Sequence, residues 1–140
     1  MTFLTDEQRR RLALGAADTA PVSTFRSPPV TASVRRRVAA LARDPRPGIR
    51  ASAAAHPHAP PEVLHTLAQD EEVCVRVALA RNAWAPHAVL AVLAVDPVPS
   101  VRQWVAVHER AGVELRDRLG ADPDPQVRAV VGWVHAATSG

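Results

Sequence analysis

The sequence predicts an all-α protein, and within that class an α-solenoid (superhelix) of about four two-helix repeats with a 26-residue period. The first observation behind this prediction is a set of four aspartates spaced at 26-residue intervals. The second is an arginine six residues after each aspartate, always preceded by a β-branched residue. These eight charged residues are Asp44, Asp70, Asp96, Asp122, Arg50, Arg76, Arg102 and Arg128. Leucines and small residues keep the same register, so the pattern occurs four times without a gap.

The first helix of each unit is predicted to start at proline or just after it. In the unit that covers residues 60–85, Pro60 and Pro61 suit a first helical turn, because the N–H groups there have no intrahelical partner. Leu64 and Leu67 follow at helical spacing. We expect this helix to end close to the repeat aspartate.

The second helix is predicted to begin at that aspartate. Asp70 has the side chain of a good N-cap, and in the other units a proline follows the aspartate at the predicted first helical position: Pro45, Pro97 and Pro123. Val75 and Leu79 supply the apolar face, and the helix is expected to stop near Asn82. Helices of about ten residues are marginal alone, so contacts between neighbouring units must stabilise them.

Two parts of the chain are predicted. Residues 1–29 form an N-terminal capping helix, which starts near Thr5 with a capping-box spacing to Gln8, and a linker rich in proline and alanine. Residues 30–140 form the helical-repeat domain.

Residues 41–135 resemble two related families of helical repeats. The Asp-x5-Arg spacing is similar to that of HEAT repeats, in which such side chains form a ladder along the stack. The short period and the run HPHAPPEVLHTLAQD, echoed by NAWAPHAVLAVLAVD, resemble the leucine-rich repeat variant family. In that family two short helices alternate, one α and one often 3₁₀, so the sequence leaves the type of the second helix open. The resemblance implies scaffolding or partner binding. An N-terminal cysteine cluster for an iron–sulfur centre occurs in one class of the family, but this chain has one cysteine, Cys74.

The aspartate and arginine columns are interpreted as a structural Asp–Arg ladder in which each aspartate also caps a helix. The alternative is that the four arginines line one face and contact phosphates or carboxylates. Repetition of the same residue in every unit favours the ladder, because packing repeats whereas ligand contacts usually vary.

Charge is distributed unevenly along the chain. All 17 basic residues are arginine, against 14 acidic ones, which gives a net charge of +3. Up to Gln69 the balance is +5 (10 arginines, 5 acidic residues), and Arg35, Arg36 and Arg37 form the densest basic run. This asymmetry supports an alternative function, nucleic-acid binding through the arginine-rich N-terminal half and the concave face.

Tryptophan supplies the other candidate binding residues. Trp84 lies on a predicted connector and is the best candidate anchor for a protein partner, because tryptophan is enriched in binding hot spots. Trp104 is a second candidate. Its position inside a predicted helix, like that of Trp133, favours a place in the core.

The remaining patterns exclude several classes of function. Catalytic motifs such as GxSxG, the P-loop and HExxH are absent. His56, His58 and His65 lack the spacing of a metal site, so no enzyme activity, metal or cofactor is predicted. No apolar run approaches the length of a membrane span, and the single cysteine favours a cytoplasmic location. The sequence therefore predicts a non-enzymatic protein–protein interaction module, an adaptor or accessory subunit, with its partner and oligomeric state left open.

Overall fold

The computed structural model describes residues 5–7 and 31–140, and the longer of these segments is all-helical, with no strand. This confirms the predicted all-α class for the described residues. The predicted linker and most of the predicted capping helix lie outside them; Asp6 and Glu7 are helical. The helices are α1 (Ala32–Leu41), α2 (Pro47–Ala54), α3 (Pro61–Leu67), α4 (Val73–Ala80), α5 (His87–Leu93), α6 (Pro99–Val107), a 3₁₀ turn (Glu109–Ala111), α7 (Gly112–Gly120) and α8 (Pro125–Thr138).

The helices come in pairs, and the second members of consecutive pairs pack against one another. Helix α2 packs on α4, α4 on α6, and α6 on α8, while each first helix packs on the second helix of its own pair. Alanines where these helices approach are fully buried at Ala54, Ala80 and Ala106, and their small side chains permit close contact. Buried leucine and valine columns complete one continuous core: Leu67, Leu93, Leu119, Val75, Val101 and Val127.

The second helices begin two residues later than the sequence predicts. Their N-caps are Arg46, Glu72, Val98 and Asp124. The expectation that the repeat aspartates are N-caps is therefore wrong. In all four units the aspartate Oδ1 instead accepts the backbone N–H two residues later at 2.9 Å, which forms an Asx-turn leading into the helix. The prolines at the first helical position are Pro47, Pro99 and Pro125, rather than those next to the aspartates.

The other predicted helix ends are closer to the observed ones. Pro60 is the N-cap of α3 and Pro61 its first residue, as expected, but α3 ends at Leu67, short of Asp70. Helix α4 ends at Ala80, near the predicted stop. All four second helices are α-helical, and the single 3₁₀ turn of the described segments precedes α7, which settles the helix type that the resemblance left open.

A column of polar side chains links the ends of successive second helices. The Asn82 Nδ2 donates to the carbonyl of Ala54 at 2.7 Å, and its Oδ1 accepts the N–H of Trp84 at 2.9 Å. One unit later, the His108 Nε2 lies 2.8 Å from the carbonyl of Asn82, and its Nδ1 accepts the N–H of Arg110 at 3.0 Å. The proton of His108 is therefore assigned to Nε2. Both side chains are buried, and the Asn82 amide satisfies the carbonyl of Ala54, the last residue of α2.

Replacing the buried amide should destabilise the fold. We expect Asn82→Ala to lower the free energy of unfolding by about 1–3 kcal/mol, because the Ala54 carbonyl and the Trp84 N–H lose their partner. Gln69→Ala is the matched control, since this exposed amide side chain makes no hydrogen bond among the described residues. Urea unfolding followed by circular dichroism measures both changes, and equal stability of the two variants would contradict the role assigned to Asn82.

Candidate functional site

The repeat arginines bridge consecutive units. The Arg76 Nε and Nη2 donate to the two carboxylate oxygens of Asp96 at 2.7 and 3.3 Å. The same two-point contact joins Arg50 to Asp70 at 2.7 and 3.1 Å. It recurs between Arg102 and Asp122 at 2.8 and 2.9 Å. Each of these three arginines thus binds the carboxylate of the aspartate twenty residues later, which belongs to the next unit, and not the carboxylate of its own unit.

The third nitrogen of each guanidinium is also engaged. Arg76 Nη1 donates to the backbone carbonyl of Asp70, six residues earlier, at 2.6 Å. Equivalent bonds are made by Arg50 at 2.9 Å, Arg102 at 2.6 Å and Arg128 at 2.6 Å. One side chain therefore fixes the turn at the start of its own helix and holds the turn of the following unit. Arg50, Arg76 and Arg102 therefore donate hydrogen bonds from all three guanidinium nitrogens.

The ladder is largely buried, and its charges compensate each other. The Arg76–Asp96 pair exposes about a tenth or less of each side chain. The hydrogen-bonded Arg50 and Arg102 guanidinium groups lower the pKa of Asp70 and Asp122, respectively, against the opposing effect of burial. The aspartates in turn raise the pKa of these two arginines. Within each of the three pairs the guanidinium and the carboxylate compensate each other's charge and satisfy each other's hydrogen bonds.

Two tryptophans lie on the surface, each covered by an arginine. The Arg81 guanidinium lies 4.7 Å from the ring centre of Trp104, and that of Arg110 lies 5.7 Å from the ring centre of Trp84. The Trp84 side chain is 54% exposed and that of Trp104 40%. Together with Val107, these four residues are here called the tryptophan surface. The core position favoured for Trp104 is therefore wrong, and it is wrong for Trp133 as well, which is 81% exposed.

Arg81 connects the two tryptophans. It lines a shallow hollow of about 250 Å³ together with Trp104 and Val107, and a neighbouring hollow of about 540 Å³ together with Trp84. Sequence reasoning missed Arg81 and Arg110. Arg81 occupies a column in which other units have Ala55 and Val107, so the only available signal was variation within an otherwise regular position.

The helices that carry the ladder have no acidic residue. Within α2, α4, α6 and α8 the charged residues are the ladder arginines, and apart from Arg128 the exposed positions hold apolar or neutral side chains. Exposed apolar examples are Val73, Trp104, Val107 and Trp133. A partner facing these helices therefore meets mainly apolar and neutral side chains, and the exposed charges beside the tryptophans include Arg81, Arg110 and Glu109.

The basic run lies elsewhere. Arg35, Arg36 and Arg37 are exposed on α1, and none of the three makes an ion pair with any other residue that the structure describes. Helix α1 belongs to the first helix pair, whereas the tryptophan surface is formed after α4 and on α6. The structure does not bring these two groups of candidate residues together.

In residues 5–7 and 31–140, no group of three or more histidine, cysteine, aspartate or glutamate side chains is arranged to hold a metal ion. Cys74 is exposed and unpaired. Among the described helices, none combines the length and apolar character needed to cross a bilayer.

These features define a helical-repeat protein. Residues 47–72 match the model of the leucine rich repeat variant family, which confirms the resemblance over this stretch. The matched residues contain α2 and α3 together with one complete ladder pair, Arg50 and Asp70. No curated protein and no solved structure matches the chain.

The lowered aspartate pKa values make the stability of the fold depend on pH. A carboxyl whose pKa is lower in the folded state stabilises the fold above its unfolded pKa, about 4, and this contribution is lost as pH falls through the folded pKa. We therefore expect Asp122→Asn to lower the melting temperature clearly at pH 7, and by less as pH is lowered below about 4. Asp117→Asn, an exposed control outside the ladder, should change little at either pH. A difference between wild type and Asp122→Asn that is as large at pH 3 as at pH 7 would contradict the ionic role of Asp122.

Proposed function

We propose that this chain is a non-enzymatic protein-interaction module, an adaptor or accessory subunit, built as a short α-solenoid with a 26-residue period. The family match supports a repeat-based interaction role. The solenoid is supported by ladder bonds that recur at 26-residue intervals with the same atoms and similar distances. The single unpaired Cys74 fits a cytoplasmic location.

The tryptophan surface is the observation that carries this proposal. Large exposed aromatic rings are enriched among residues that dominate binding energies. Here Arg81 and Arg110 lie over the rings of Trp104 and Trp84, so the rings are held in place before a partner arrives. Prior ordering of this kind reduces the entropy that is lost on association.

The chemistry beside the tryptophan surface favours binding over catalysis. His108 and Glu109 line the hollow next to Trp104. Both ring nitrogens of His108 are engaged with backbone groups, so neither is available to take a proton from a substrate. The hollow is shallow and open, unlike the pockets that enclose small substrates.

Removing either covered tryptophan should weaken partner binding. A partner is first isolated by affinity purification from the native host after nuclease treatment, and its affinity is then measured by calorimetry. We expect Trp84→Ala and Trp104→Ala each to raise Kd by about 30-fold, which corresponds to ~2 kcal/mol for a hot-spot ring.

The chain supplies a matched control for this experiment. Trp133 is at least as exposed, but no arginine among the described residues lies over its ring. Trp133→Ala should leave Kd within about two-fold of wild type. Equal losses in all three variants would indicate general adhesion of apolar rings and contradict the assignment of the tryptophan surface.

The alternative function is nucleic-acid binding, and the exposed run Arg35–Arg37 on α1 is the observation that favours it. Helix α1 contains no acidic residue, so its three guanidinium groups face solvent without local compensation. Phosphate contacts of this kind release counterions, and the affinity they produce falls steeply as salt rises.

A triple replacement separates the two functions. Because Arg35, Arg36 and Arg37 are exposed, we expect their joint replacement by alanine to leave the melting temperature unchanged. If the chain binds nucleic acid, the triple variant should lose that binding in a fluorescence-anisotropy titration at low salt. Arg81→Ala/Arg110→Ala is the control that removes charge from the tryptophan surface. A protein partner that stays bound to the triple variant, at high salt and after nuclease treatment, would contradict the nucleic-acid function.

A further inference from the structure

The ladder has an unfilled position at Arg128. Its Nη1 donates to the carbonyls of Asp122 and Pro123 at 2.6 and 3.1 Å, which is the arrangement seen for Arg50 with Asp44 and Pro45. In Arg50, Arg76 and Arg102 this bond accompanies the two-point contact to a carboxylate. The Nε and Nη2 of Arg128 have no such carboxylate in the part of the chain that the structure describes. The guanidinium is therefore anchored in the ladder geometry with its binding edge open.

A hollow of about 460 Å³ lies beside that open edge. Its lining includes Arg128, Asp117, His135 and the two glycines Gly120 and Gly132. The glycines occupy columns that hold alanine in the preceding unit, Ala94 and Ala106. The surface on which a following unit would pack is thus present and not filled by its own side chains.

At the other end of the ladder, Asp44 is an aspartate to which no other unit among residues 31–140 supplies a bridging arginine. Asp44 forms the same Asx-turn as the other repeat aspartates, with its Oδ1 2.9 Å from the N–H of Arg46. No arginine from another unit reaches its carboxylate among residues 31–140, where it is paired only with Arg46, whose side chain is 72% exposed. Ile49, in the column of the fully buried Val75 and Val101, is only half-buried.

We propose that two copies of this chain associate head to tail, with Arg128 of one copy binding Asp44 of the next. The contact reproduces the ladder pair that each unit already makes with its neighbour, two-point contact and Asx-turn included. Exposed Arg46 swings away, and the carboxylate of Asp44 takes the Nε and Nη2 of Arg128. Two parallel hydrogen bonds from a guanidinium group to a carboxylate form a stronger and more selective contact than a single hydrogen bond does.

The charge pattern is what selects a second copy as the occupant. Arg128 requires a carboxylate at the start of a helix, held by an Asx-turn, and Asp44 is such a group, to which no arginine of another unit among the described residues binds. Because the two surfaces of this contact differ, each association leaves one open Arg128 and one open Asp44, so longer assemblies form as concentration rises.

Light scattering coupled to size-exclusion chromatography tests the proposal with the full chain. The molar mass of the wild type should rise from the 15.0 kDa of one copy as concentration is increased. Arg128→Gln removes the fork, and Asp44→Asn removes the charge while an oxygen remains for the Asx-turn. Each variant alone should stay at the mass of one copy, with a circular-dichroism spectrum like that of the wild type.

Mixing the two variants gives the sharpest outcome. The Arg128→Gln copy keeps Asp44, and the Asp44→Asn copy keeps Arg128, so an equimolar mixture should stop at the mass of two copies. Arg118→Gln is the control: it removes an exposed arginine that pairs within its own helix with Glu114, and it should assemble like the wild type. A wild type that keeps the mass of one copy at all concentrations would overturn the proposal. So would a mixture that stays at one copy, or variants that assemble like the wild type.

Discussion

The two-point contact between an arginine and the aspartate twenty residues later is the interaction on which the rest of the structure depends. It joins the middle of one second helix to the turn that starts the next, and the third arginine nitrogen ties the turn of its own unit. Lysine cannot reproduce this contact, because its three donors radiate from one nitrogen, whereas arginine distributes its donors over three nitrogens in a plane. A chain whose 17 basic residues are all arginine is consistent with that geometric requirement.

The ladder and the Asn82–His108 column lie at opposite ends of the second helices, and together they fix how neighbouring helices align. The ladder acts at the helix starts, whereas the amide and imidazole act on carbonyls at the helix ends. Between them the packing is apolar and made by small residues such as Ala80 and Ala106. The polar contacts thus set how neighbouring second helices are aligned along their axes, and the alanine contacts set the distance between those helices. In the described residues no buried side-chain nitrogen or oxygen lacks a hydrogen-bond partner.

The sequence predicted the all-α class from its helical repeat pattern. The three observed pairs fall in the predicted aspartate and arginine columns, whereas Arg128 and Asp44 make no pair of this kind among the described residues. The sequence placed the second helices two residues too early, since Asp70 has the side chain of a cap but uses it in the preceding turn. It also misplaced Trp104, because a position inside a helix does not reveal which face the side chain occupies. The contact of Arg81 with Trp104 joins residues in different units and depends on how α4 packs on α6. Such a contact has no signature in a single sequence.

The twenty-residue spacing of the ladder has a consequence for how the chain folds. The side-chain hydrogen bonds of the ladder and of the Asn82–His108 column join residues at most 28 positions apart. These bonds can therefore form without contact to a distant part of the chain. Local contacts of this kind mean a low contact order, which is associated with fast folding. In such an array folding can start at any adjacent pair of units and spread in either direction. The same locality allows the number of units to change, because a whole 26-residue segment can be gained or lost while every arginine that precedes another unit still faces an aspartate.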